Sequence, residues 1–393
     1  MINGDVDPRW VGVRDAFRAN LEEGLDAGAS LAIRVDGRTV VDLWGGTDPL
    51  TGRAWERDTV TVGFSISKGV AALALLQLVE ADRVDLDAPV ARYWPEFGSA
   101  GKAQITVREV LTHRAGLPVI DVASIEDVLD WDHVTGVLAA QRPQYDANRF
   151  YVYHALSFGF LVGELVRRVS GLGFGDYVRT RIAEPLGLDL WVGTPEGVDA
   201  RLLAGVTTDV VEQPPPVSDA AVCTAAWRST AQLLPIFRQV DGVAGTEPFN
   251  QPRFRRAILP AGNGVTNGRA LAHMYAACLD EIDGVRLLAP ATVADAAVDH
   301  AGGIRKPECG ASDPWAAGTP QVWGLGFEIS NRENPMLGPG SFGHSGMGGR
   351  LGFAHPPAGL AFGFVGQRMA YPEPGKLDPR WVRILAAVHD VVG

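Results

Sequence analysis

The chain has 393 residues, of which 46% are hydrophobic and 21% are charged, and its formal net charge is −11. This length exceeds what one hydrophobic core usually holds, so two lobes or one large α/β unit are expected. The acidic and basic residues are interspersed without a basic patch, which argues against a nucleic-acid partner. No uncharged apolar run is long enough for a membrane-spanning helix, so no membrane partner is expected either.

The cysteines and the first residues bear on the cellular compartment. Cys223, Cys278 and Cys309 are an odd, widely spaced set without a CxxC pair, which argues against a disulfide framework and against a zinc site. The start, "MINGDVDPRWVGVRDAF", lacks the basic and apolar segments of a secretory signal. These features predict a cytoplasmic protein and leave its oligomeric state open.

The chain begins with a predicted helix and a predicted hairpin. In "RWVGVRDAFRANLEEGL" the apolar residues from Trp10 to Leu21 recur at a near-helical spacing. "SLAIRVDGRTVVDLWGG" then alternates and breaks at Asp36-Gly37. Two β-rich runs on either side of an Asp-Gly pair predict a β-hairpin.

The middle of the chain is predicted to be helical. One helix is expected at about residues 65–81, and another begins at a Thr106–Glu109 capping box. "YHALSFGFLVGELVRRVSG" predicts a helix that ends at Gly171. Helical segments joined by Pro/Gly loops continue to roughly residue 300, with "EQPPPVSD" (212–219) as a surface loop. Whether the helical part carries a lid stays open, and 206–262 is the segment in which to look for one.

Short strands rich in glycine and aromatic residues follow from about residue 320, and "HPPAG" is the predicted turn between the last two. "DPRWVRILAAVHDVV" predicts a closing helix. Because both ends of the chain carry strands and a helix, we expect an α/β (α+β, two-lobed) fold with one antiparallel sheet covered by the terminal helices. The predicted sheet domain comprises residues 1–64 and 300–393, the predicted helical domain comprises 65–299, and the active site lies between them.

The stretch "VGFSISKGVAALALLQLV" contains one of only four lysines in a chain that otherwise uses arginine. If Ser65 opens the helix, Lys68 lies one turn later on the same face. The helix N-terminus and the apolar surroundings disfavour a protonated lysine, so Lys68 can accept the serine proton. The Ser65 N–H, at a helix start, can face an oxyanion. The alternative is an N-cap serine followed by a lysine that snorkels to solvent.

Two further motifs are candidates for the same site. Tyr153 precedes an apolar helix in "FYVYHALSFGFLVGE", and its hydroxyl can relay protons if it lies near Lys68. In "FGHSGMGGRLGF" the small residues let a substrate lie close to the backbone, with His344 at the edge of the cleft. The alternatives are aromatic residues that only pack in the core, and a glycine-rich bulge with a hydrogen-bonded histidine.

Ser65-Ile66-Ser67-Lys68, Tyr153 and His344-Ser345-Gly346, in this order, resemble the serine β-lactamase and penicillin-binding protein superfamily on its class C side. "VLTHRAGLP" (110–118) is similar to the "LLTHTSGLP" stretch common in these proteins. The helix after Tyr153, "GNGVTNGRALAHMYAA" and "GHSGMGGRLGFAHPPAGLAFGFVGQRM" are similar to the family VIII carboxylesterases. The resemblance covers nearly the whole chain.

This resemblance implies a β-lactamase/transpeptidase-like fold and a role for each motif. Ser65 is the acylated nucleophile, Lys68 its activating base and Tyr153 the second acid/base group. The N–H groups of Ser65 and Met347 form the oxyanion hole. Substrate contacts are expected from the third motif and from two aromatic residues for which core packing is the alternative: His344, Ser345, Gly346, Tyr151 and Trp323. The chemistry requires no metal and no organic cofactor.

Two departures from the β-lactamase pattern affect the expected substrate. His344 stands where true β-lactamases have the lysine of their KTG motif, and Ala155 stands where they have the asparagine of Tyr-x-Asn. Both departures remove groups that hold a β-lactam carboxylate or side-chain amide. The resemblance therefore implies a serine hydrolase for small, uncharged carboxylic esters with weak or no β-lactamase activity.

Other readings of the sequence remain open. The lipase pattern GxSxG fails at Ser65 and at Ser345. His113 is the best-placed histidine for a Ser-His-Asp enzyme, but in "LTHRAGLP" it is expected to fix a turn through hydrogen bonds. Rival functions are an acyltransferase with the same acyl-enzyme, a penicillin-recognising peptidase or β-lactamase, and a non-catalytic binding protein.

Overall fold

The computed structural model describes residues 1–207, 221–231, 249–304, 306–307, 309, 322–331, 334–369 and 377–393. The surface loop predicted at 212–219 lies outside these residues, as does much of the 206–262 segment in which a lid was sought.

The helices and strands of the described residues follow the chain from end to end. The strands are β1 (Ile2–Val6), β2 (Gly28–Val35), β3 (Arg38–Gly46), β4 (Thr61–Val62), β5 (Leu190–Trp191), β6 (Val206–Thr207), β7 (Val265–Thr266), β8 (Val322–Trp323), β9 (Glu328–Ile329), β10 (Phe342–Gly346), β11 (Arg350–His355), β12 (Leu360–Gly366) and β13 (Arg368–Met369). The α-helices are α1 (Val11–Glu22), α2 (Ile66–Glu80), α3 (Val107–Leu111), α4 (Trp131–Ala140), α5 (Ser157–Ser170), α6 (Phe174–Val178), α7 (Ala221–Ala231), α8 (Pro252–Arg256), α9 (Gly268–Leu279), α10 (Pro290–Ala296) and α11 (Pro379–Val392).

The two ends of the chain form one antiparallel sheet in the order β1-β3-β2-β12-β11-β10-β9-β8. The hairpin predicted at Asp36-Gly37 joins β2 to β3, and β2 pairs with β12 from the other end of the chain. This arrangement confirms the predicted fold class, whereas the domain boundaries stay a prediction. Strand β1 was not predicted, because "INGDV" is mostly polar; it lies at the edge of the sheet and pairs only with β3.

Helices cover both faces of this sheet. Helices α1 and α11 pack on one face, where a cluster of apolar side chains is buried; it includes Val13, Phe17, Leu31, Ile33, Leu43, Phe353, Phe362, Ile384 and Val388. Helix α9 packs on the other face against β2, β11 and β12. A Cβ at Gly363 would lie 2.2 Å from the Gly268 carbonyl oxygen. Glycine is therefore required here, since the helix start touches the strand.

Helix α2 connects the helical part of the protein to the sheet. It is buried at every position from Ile66 to Leu76, and it packs against both α5 and β10. A helix that is apolar on all sides is expected only inside a large core. The first turn of α2 therefore lies where the helical part meets the sheet at β10.

The prediction against a disulfide was wrong. Cys223 in α7 forms a disulfide with Cys309, with an S–S distance of 2.17 Å and a Cα–Cα distance of 5.3 Å. Cys278 is free and buried. The error arose because wide spacing along the chain does not report spacing in the fold. The bridge ties α7 to a segment 86 residues later.

Removal of this disulfide is expected to destabilise the protein. We expect the Cys223→Ser/Cys309→Ser variant to lose about 2–4 kcal/mol of unfolding free energy, because the bridge restricts the unfolded chain. Urea unfolding measures the loss. Wild type in reductant should approach the variant, which should not respond to reductant itself. Equal unfolding midpoints for wild type and variant in the absence of reductant would contradict this expectation.

Candidate active site

The backbone presents Ser65 at a sharp turn between β4 and α2. Phe64, just before it, has a φ of 52°, which is unfavourable for a bulky residue. The Phe64 carbonyl accepts a 2.6 Å hydrogen bond from Ser67 Oγ, and Ser67 Oγ in turn accepts one from the Gly264 N–H at 2.9 Å. This bracing holds the serine at the N-terminus of the helix, where N–H groups have no intrahelical acceptor.

Lys68 lies one turn after Ser65, as predicted, and its side chain is fully buried. Its Nζ is 3.1 Å from Ser65 Oγ and donates to the Ala261 carbonyl at 2.9 Å. Burial lowers the pKa of Lys68 to about 7, against an opposing effect of the Glu328 charge. Near neutral pH a large fraction of Lys68 is therefore uncharged and able to accept a proton.

Tyr153 completes the cluster. The Lys68 Nζ lies 4.7 Å from the centre of the Tyr153 ring, and the Tyr153 hydroxyl lies close enough to Ser65 for that residue to affect its pKa. Burial raises the pKa of Tyr153, an effect that Ser65 opposes and the Glu328 charge reinforces. Tyr153 is therefore protonated at neutral pH and can donate a proton. The structure thus brings the three predicted catalytic residues into direct contact.

The rings of His113 and Trp323 pack against the ring of Tyr153. The His113 ring lies 4.9 Å from the Tyr153 ring, and Trp323 stacks on Tyr153 at 5.7 Å. His113 Nδ1 accepts from the His154 N–H at 3.1 Å, and its carbonyl accepts from the Tyr145 hydroxyl at 2.9 Å. The prediction that His113 fixes a turn is confirmed. His154 is directed elsewhere, because its Nε2 accepts from the Leu117 N–H at 3.1 Å.

Ser229 also supports Tyr153, and sequence reasoning missed it. Its buried hydroxyl donates to the Tyr153 carbonyl at 2.7 Å and accepts from the Ala155 N–H at 3.2 Å. Ser229 belongs to α7, the helix that carries the disulfide. No motif surrounds it in the sequence, so only the fold reveals its contact with the tyrosine turn.

The third motif forms strand β10, which runs past the serine turn. A Cβ at Gly346 would lie 2.3 Å from the Gly63 carbonyl oxygen, so the strand and the turn are in direct contact. His344 is buried, and its Nδ1 donates to the Ser345 carbonyl at 2.6 Å. Burial lowers the pKa of His344, so the ring is neutral at pH 7. A neutral ring whose Nδ1 carries the proton has a lone pair at Nε2.

Glu328 is a second residue that sequence reasoning missed. It is only 2% exposed in strand β9. Its Oε2 accepts from the Ser345 N–H at 2.8 Å and from Asn334 Nδ2 at 2.9 Å, and its Oε1 accepts from Ser345 Oγ at 3.0 Å. The sequence feature that could have identified it is a single glutamate in the apolar run "VWGLGFEIS". A glutamate in such a run is expected to be buried, and a buried charged residue nearly always has a hydrogen-bond or ion-pair partner.

The remaining predicted residues occupy different positions. Met347, after β10, begins a loop in which Gly348 and Gly349 have φ values of 72° and 88°. Trp381 Nε1 of α11 donates to the Gly349 carbonyl at 2.9 Å, which anchors this loop to α11. The use of the Met347 N–H as an oxyanion donor stays a prediction. Tyr151 and Trp323 are both buried, and their contact with substrate also stays a prediction.

Two features that would change the chemistry are absent from the described residues. Within them, no three histidine, cysteine, aspartate or glutamate side chains are grouped closely enough to hold a metal ion. None of the described helices combines the length and the apolar character needed to cross a membrane.

Comparison with known proteins gives the family. The sequence profile described as Beta-lactamase matches residues 15–387. The chain belongs to the β-lactamase family. The Esterase/beta-lactamase LipL of Mycobacterium tuberculosis is similar to it, with 35% identity over 382 residues that cover 94% of this chain and 83% of LipL.

Two solved structures agree over the full length of the chain. A family VIII carboxylesterase has a TM-score of 0.83 and 32% identity, and covers 100% of both chains. A penicillin-binding protein homologue from Caulobacter crescentus has a TM-score of 0.84 and 32% identity, with the same coverage. The predicted resemblance to the β-lactamase superfamily is confirmed.

The Ser229 contact leads to a test that needs no known substrate. In Ser229→Ala, the tyrosine turn loses the hydrogen bonds that Ser229 makes with the Tyr153 carbonyl and the Ala155 N–H. We expect the labelling of Ser65 by a fluorophosphonate probe to slow by about tenfold or more, because small displacements at a reacting centre are costly. Ser99→Ala is the control, since Ser99 Oγ also donates to a carbonyl, that of Ala139 at 2.7 Å. Equal labelling rates in both variants and wild type would show that Ser229 does not position Tyr153.

Proposed function

We propose that this protein is a carboxylesterase that hydrolyses small, uncharged esters through an acyl-enzyme on Ser65. One observation carries the proposal: the fully buried Lys68 amine is 3.1 Å from Ser65 Oγ, and its pKa is lowered to about 7. A lysine in this state is a base at neutral pH, whereas an arginine at the same position would stay charged.

Acylation begins with proton transfer from Ser65 to neutral Lys68. Ser65 Oγ attacks the ester carbonyl, and the negative charge moves to the carbonyl oxygen, between the N–H groups of Ser65 and Met347. The loss of one such donor typically costs about 3 kcal/mol of transition-state stabilisation. Collapse of the intermediate expels the alcohol, which takes a proton from Tyr153. Lys68 returns the serine proton to Tyr153, which leaves an acyl-enzyme and both groups in their starting states.

Deacylation repeats these steps with water as the nucleophile. Lys68 and Tyr153 take a proton from the water as it attacks the acyl carbonyl. The second tetrahedral intermediate releases the carboxylic acid and returns the proton to Ser65 Oγ. All of the groups involved belong to this chain, so these steps use no organic cofactor.

Two relatives that share more than 30% sequence identity with this chain support ester hydrolysis. LipL is named an esterase/β-lactamase, and a structure with 32% identity is a family VIII carboxylesterase. The LipL name also makes β-lactam hydrolysis a second candidate activity. Against it stand neutral His344 in place of a lysine, and Ala155, whose N–H is already bonded to Ser229.

The cellular location also remains a proposal. The sequence predicted a cytoplasmic protein, but disulfides persist mainly in oxidising compartments. The Cys223–Cys309 bridge is therefore an observation against the cytoplasm. A thiol count on protein isolated under alkylating conditions decides whether the bridge forms in the cell.

The first test of the proposal is p-nitrophenyl butyrate hydrolysis. We expect Ser65→Ala and Lys68→Arg to lose about 10⁴-fold or more in kcat, as for a nucleophile and its base, and Tyr153→Phe about 10²–10⁴-fold. Nitrocefin should be cleaved far more slowly by wild type. Lys102→Arg is the matched control, because Lys102 is also buried but its Nζ bonds to backbone carbonyls, including that of Ala139 at 2.9 Å.

Other outcomes of this test have defined meanings. Hydrolysis that survives in Ser65→Ala would refute Ser65 as the nucleophile. Rapid acylation with slow turnover that added alcohols accelerate would identify an acyltransferase instead. Nitrocefin cleavage as fast as ester cleavage would favour the β-lactamase alternative.

The pH dependence gives a second test. Below its pKa of about 7, Lys68 is increasingly protonated and cannot accept the Ser65 proton. The kcat/KM for p-nitrophenyl butyrate should therefore fall about tenfold per pH unit below roughly pH 6.5 and level off above roughly pH 7.5, as for a single ionisation. A profile that stays flat between pH 5.5 and 8.5 would be inconsistent with Lys68 as the base. Circular dichroism over the same range is the control for unfolding.

A further inference from the structure

The carboxylate of Glu328 lies behind strand β10 and determines which hydrogen-bonding groups this strand can present to a substrate. Glu328 receives both donors of Ser345, the backbone N–H at 2.8 Å and the hydroxyl at 3.0 Å. A serine hydroxyl has one hydrogen and two lone pairs. Because the hydrogen points to Glu328, Ser345 can offer only lone pairs to a substrate in the cleft.

His344, the residue before Ser345, likewise has no hydrogen to donate to a substrate. Its Nδ1 hydrogen is donated to the Ser345 carbonyl, and its neutral ring therefore carries a lone pair at Nε2. Nε2 is buried, and no hydrogen-bond partner among the described residues reaches it. Neither side chain at the position where β-lactamases hold a carboxylate therefore has a hydrogen left to donate to a substrate.

The charge of Glu328 reaches the reacting groups. It favours the charged form of Lys68 and of His344, and it reinforces the raised pKa of Tyr153. Strand β10 meets the serine turn at Gly346, so a substrate bonded to Ser65 lies alongside Ser345. An anionic group of the substrate at this position faces lone pairs backed by a buried carboxylate, and like charges brought together are strongly disfavoured.

We propose that the charge of Glu328, which lies behind Ser345, determines substrate specificity: it excludes esters that carry a carboxylate and, by orienting the Ser345 hydroxyl, favours esters that present a neutral hydrogen-bond donor at this edge. This inference rests on the proposed esterase function and names the substrate class of the same site. Glu328 is a positioning and specificity-determining residue rather than a catalytic one, because Ser345 lies between it and the substrate.

The variant Glu328→Gln fits the site and reverses its polarity. The glutamine carbonyl can replace Oε2 and accept from the Ser345 N–H and from Asn334, since both groups donate to that oxygen. The amide NH₂ then replaces Oε1 and donates to Ser345 Oγ. The hydroxyl hydrogen becomes free to point into the cleft, and the negative charge is gone.

The test compares two esters of nearly equal size, 3-acetoxybenzamide and 3-acetoxybenzoate, which differ by a neutral amide donor and a carboxylate. We expect wild type to prefer the amide by at least ~30-fold in kcat/KM, as expected for a like-charge penalty, and this ratio to fall at least tenfold in Glu328→Gln through a lower KM for the anion. A general loss of activity cancels in the ratio. Mono-p-nitrophenyl glutarate and p-nitrophenyl glutaramate repeat the comparison on the acyl side.

Two further variants separate the charge from other effects. Ser345→Ala keeps the carboxylate, so its preference for the amide should persist. If it relaxed as far as in Glu328→Gln, the charge would not be the cause and the proposal would be overturned. Glu164→Gln is the matched control, because Glu164 is also wholly buried but bonds to Trp131, Arg167 and Arg168 in the helical part of the protein. Its ratio should equal that of wild type.

The result also separates this inference from the proposed function. If 3-acetoxybenzamide is cleaved with full dependence on Ser65 but wild type cleaves the carboxylate equally well on both sides of the ester, only the specificity proposal fails. If neither ester is cleaved by wild type, or cleavage persists in Ser65→Ala, the esterase proposal itself fails. A wild-type ratio near one overturns the specificity proposal even if Glu328→Gln does not fold.

Discussion

The contact between the Lys68 amine and the Ser65 hydroxyl depends on which hydrogen-bond acceptors surround the buried amine. Lys102 shows the ordinary solution, since its Nζ donates to the carbonyls of Ser99 and Ala139 at 3.2 and 2.9 Å and also to that of Gln141. Three acceptors match the three hydrogens of an ammonium group. Among the residues that the structure describes, Lys68 has one carbonyl acceptor, that of Ala261, and the Ser65 hydroxyl, which is itself a donor. This incomplete set stabilises an ammonium poorly, which suits a base that must exist without its proton.

The tyrosine that completes the cluster is held by parts of the chain that are distant in sequence. His113 shapes the turn beneath it, Trp323 of the sheet stacks on its ring, and Ser229 of α7 holds its carbonyl. The disulfide fixes α7 to the segment that precedes the last strands. A phenol near a lysine must keep its distance to within a few tenths of an ångström to exchange protons efficiently. Support from three separate directions provides that rigidity, and it explains why the tyrosine can lie on a turn rather than in a helix.

The sequence was sufficient for features whose cause is local, and insufficient for those whose cause is tertiary. The Ser65–Lys68 pair follows from helical spacing and the β2–β3 hairpin from an Asp-Gly turn, so both could be predicted. Ser229 has no local pattern, because its role is a contact with a turn far away in sequence. The Cys223–Cys309 bridge was not predicted for the same reason, because its two cysteines meet only in the fold. Glu328 lies in between: a charge within an apolar run signals a buried function, but its partner Ser345 becomes visible only when β9 and β10 pair.

The buried carboxylate links catalysis and selectivity through a single charge. Burial alone would lower the pKa of Lys68 further, and the charge of Glu328 opposes that effect, so the lysine remains a base that is effective near neutral pH. The same charge fixes the direction of the Ser345 hydroxyl and makes the substrate-facing edge an acceptor. A lysine in place of His344 would bring a positive charge close to Glu328 and neutralise it, which would remove both effects together. The histidine at the third motif and the glutamate behind it are therefore consistent with each other, because a neutral ring does not oppose the effect of the carboxylate on Lys68 and on the substrate.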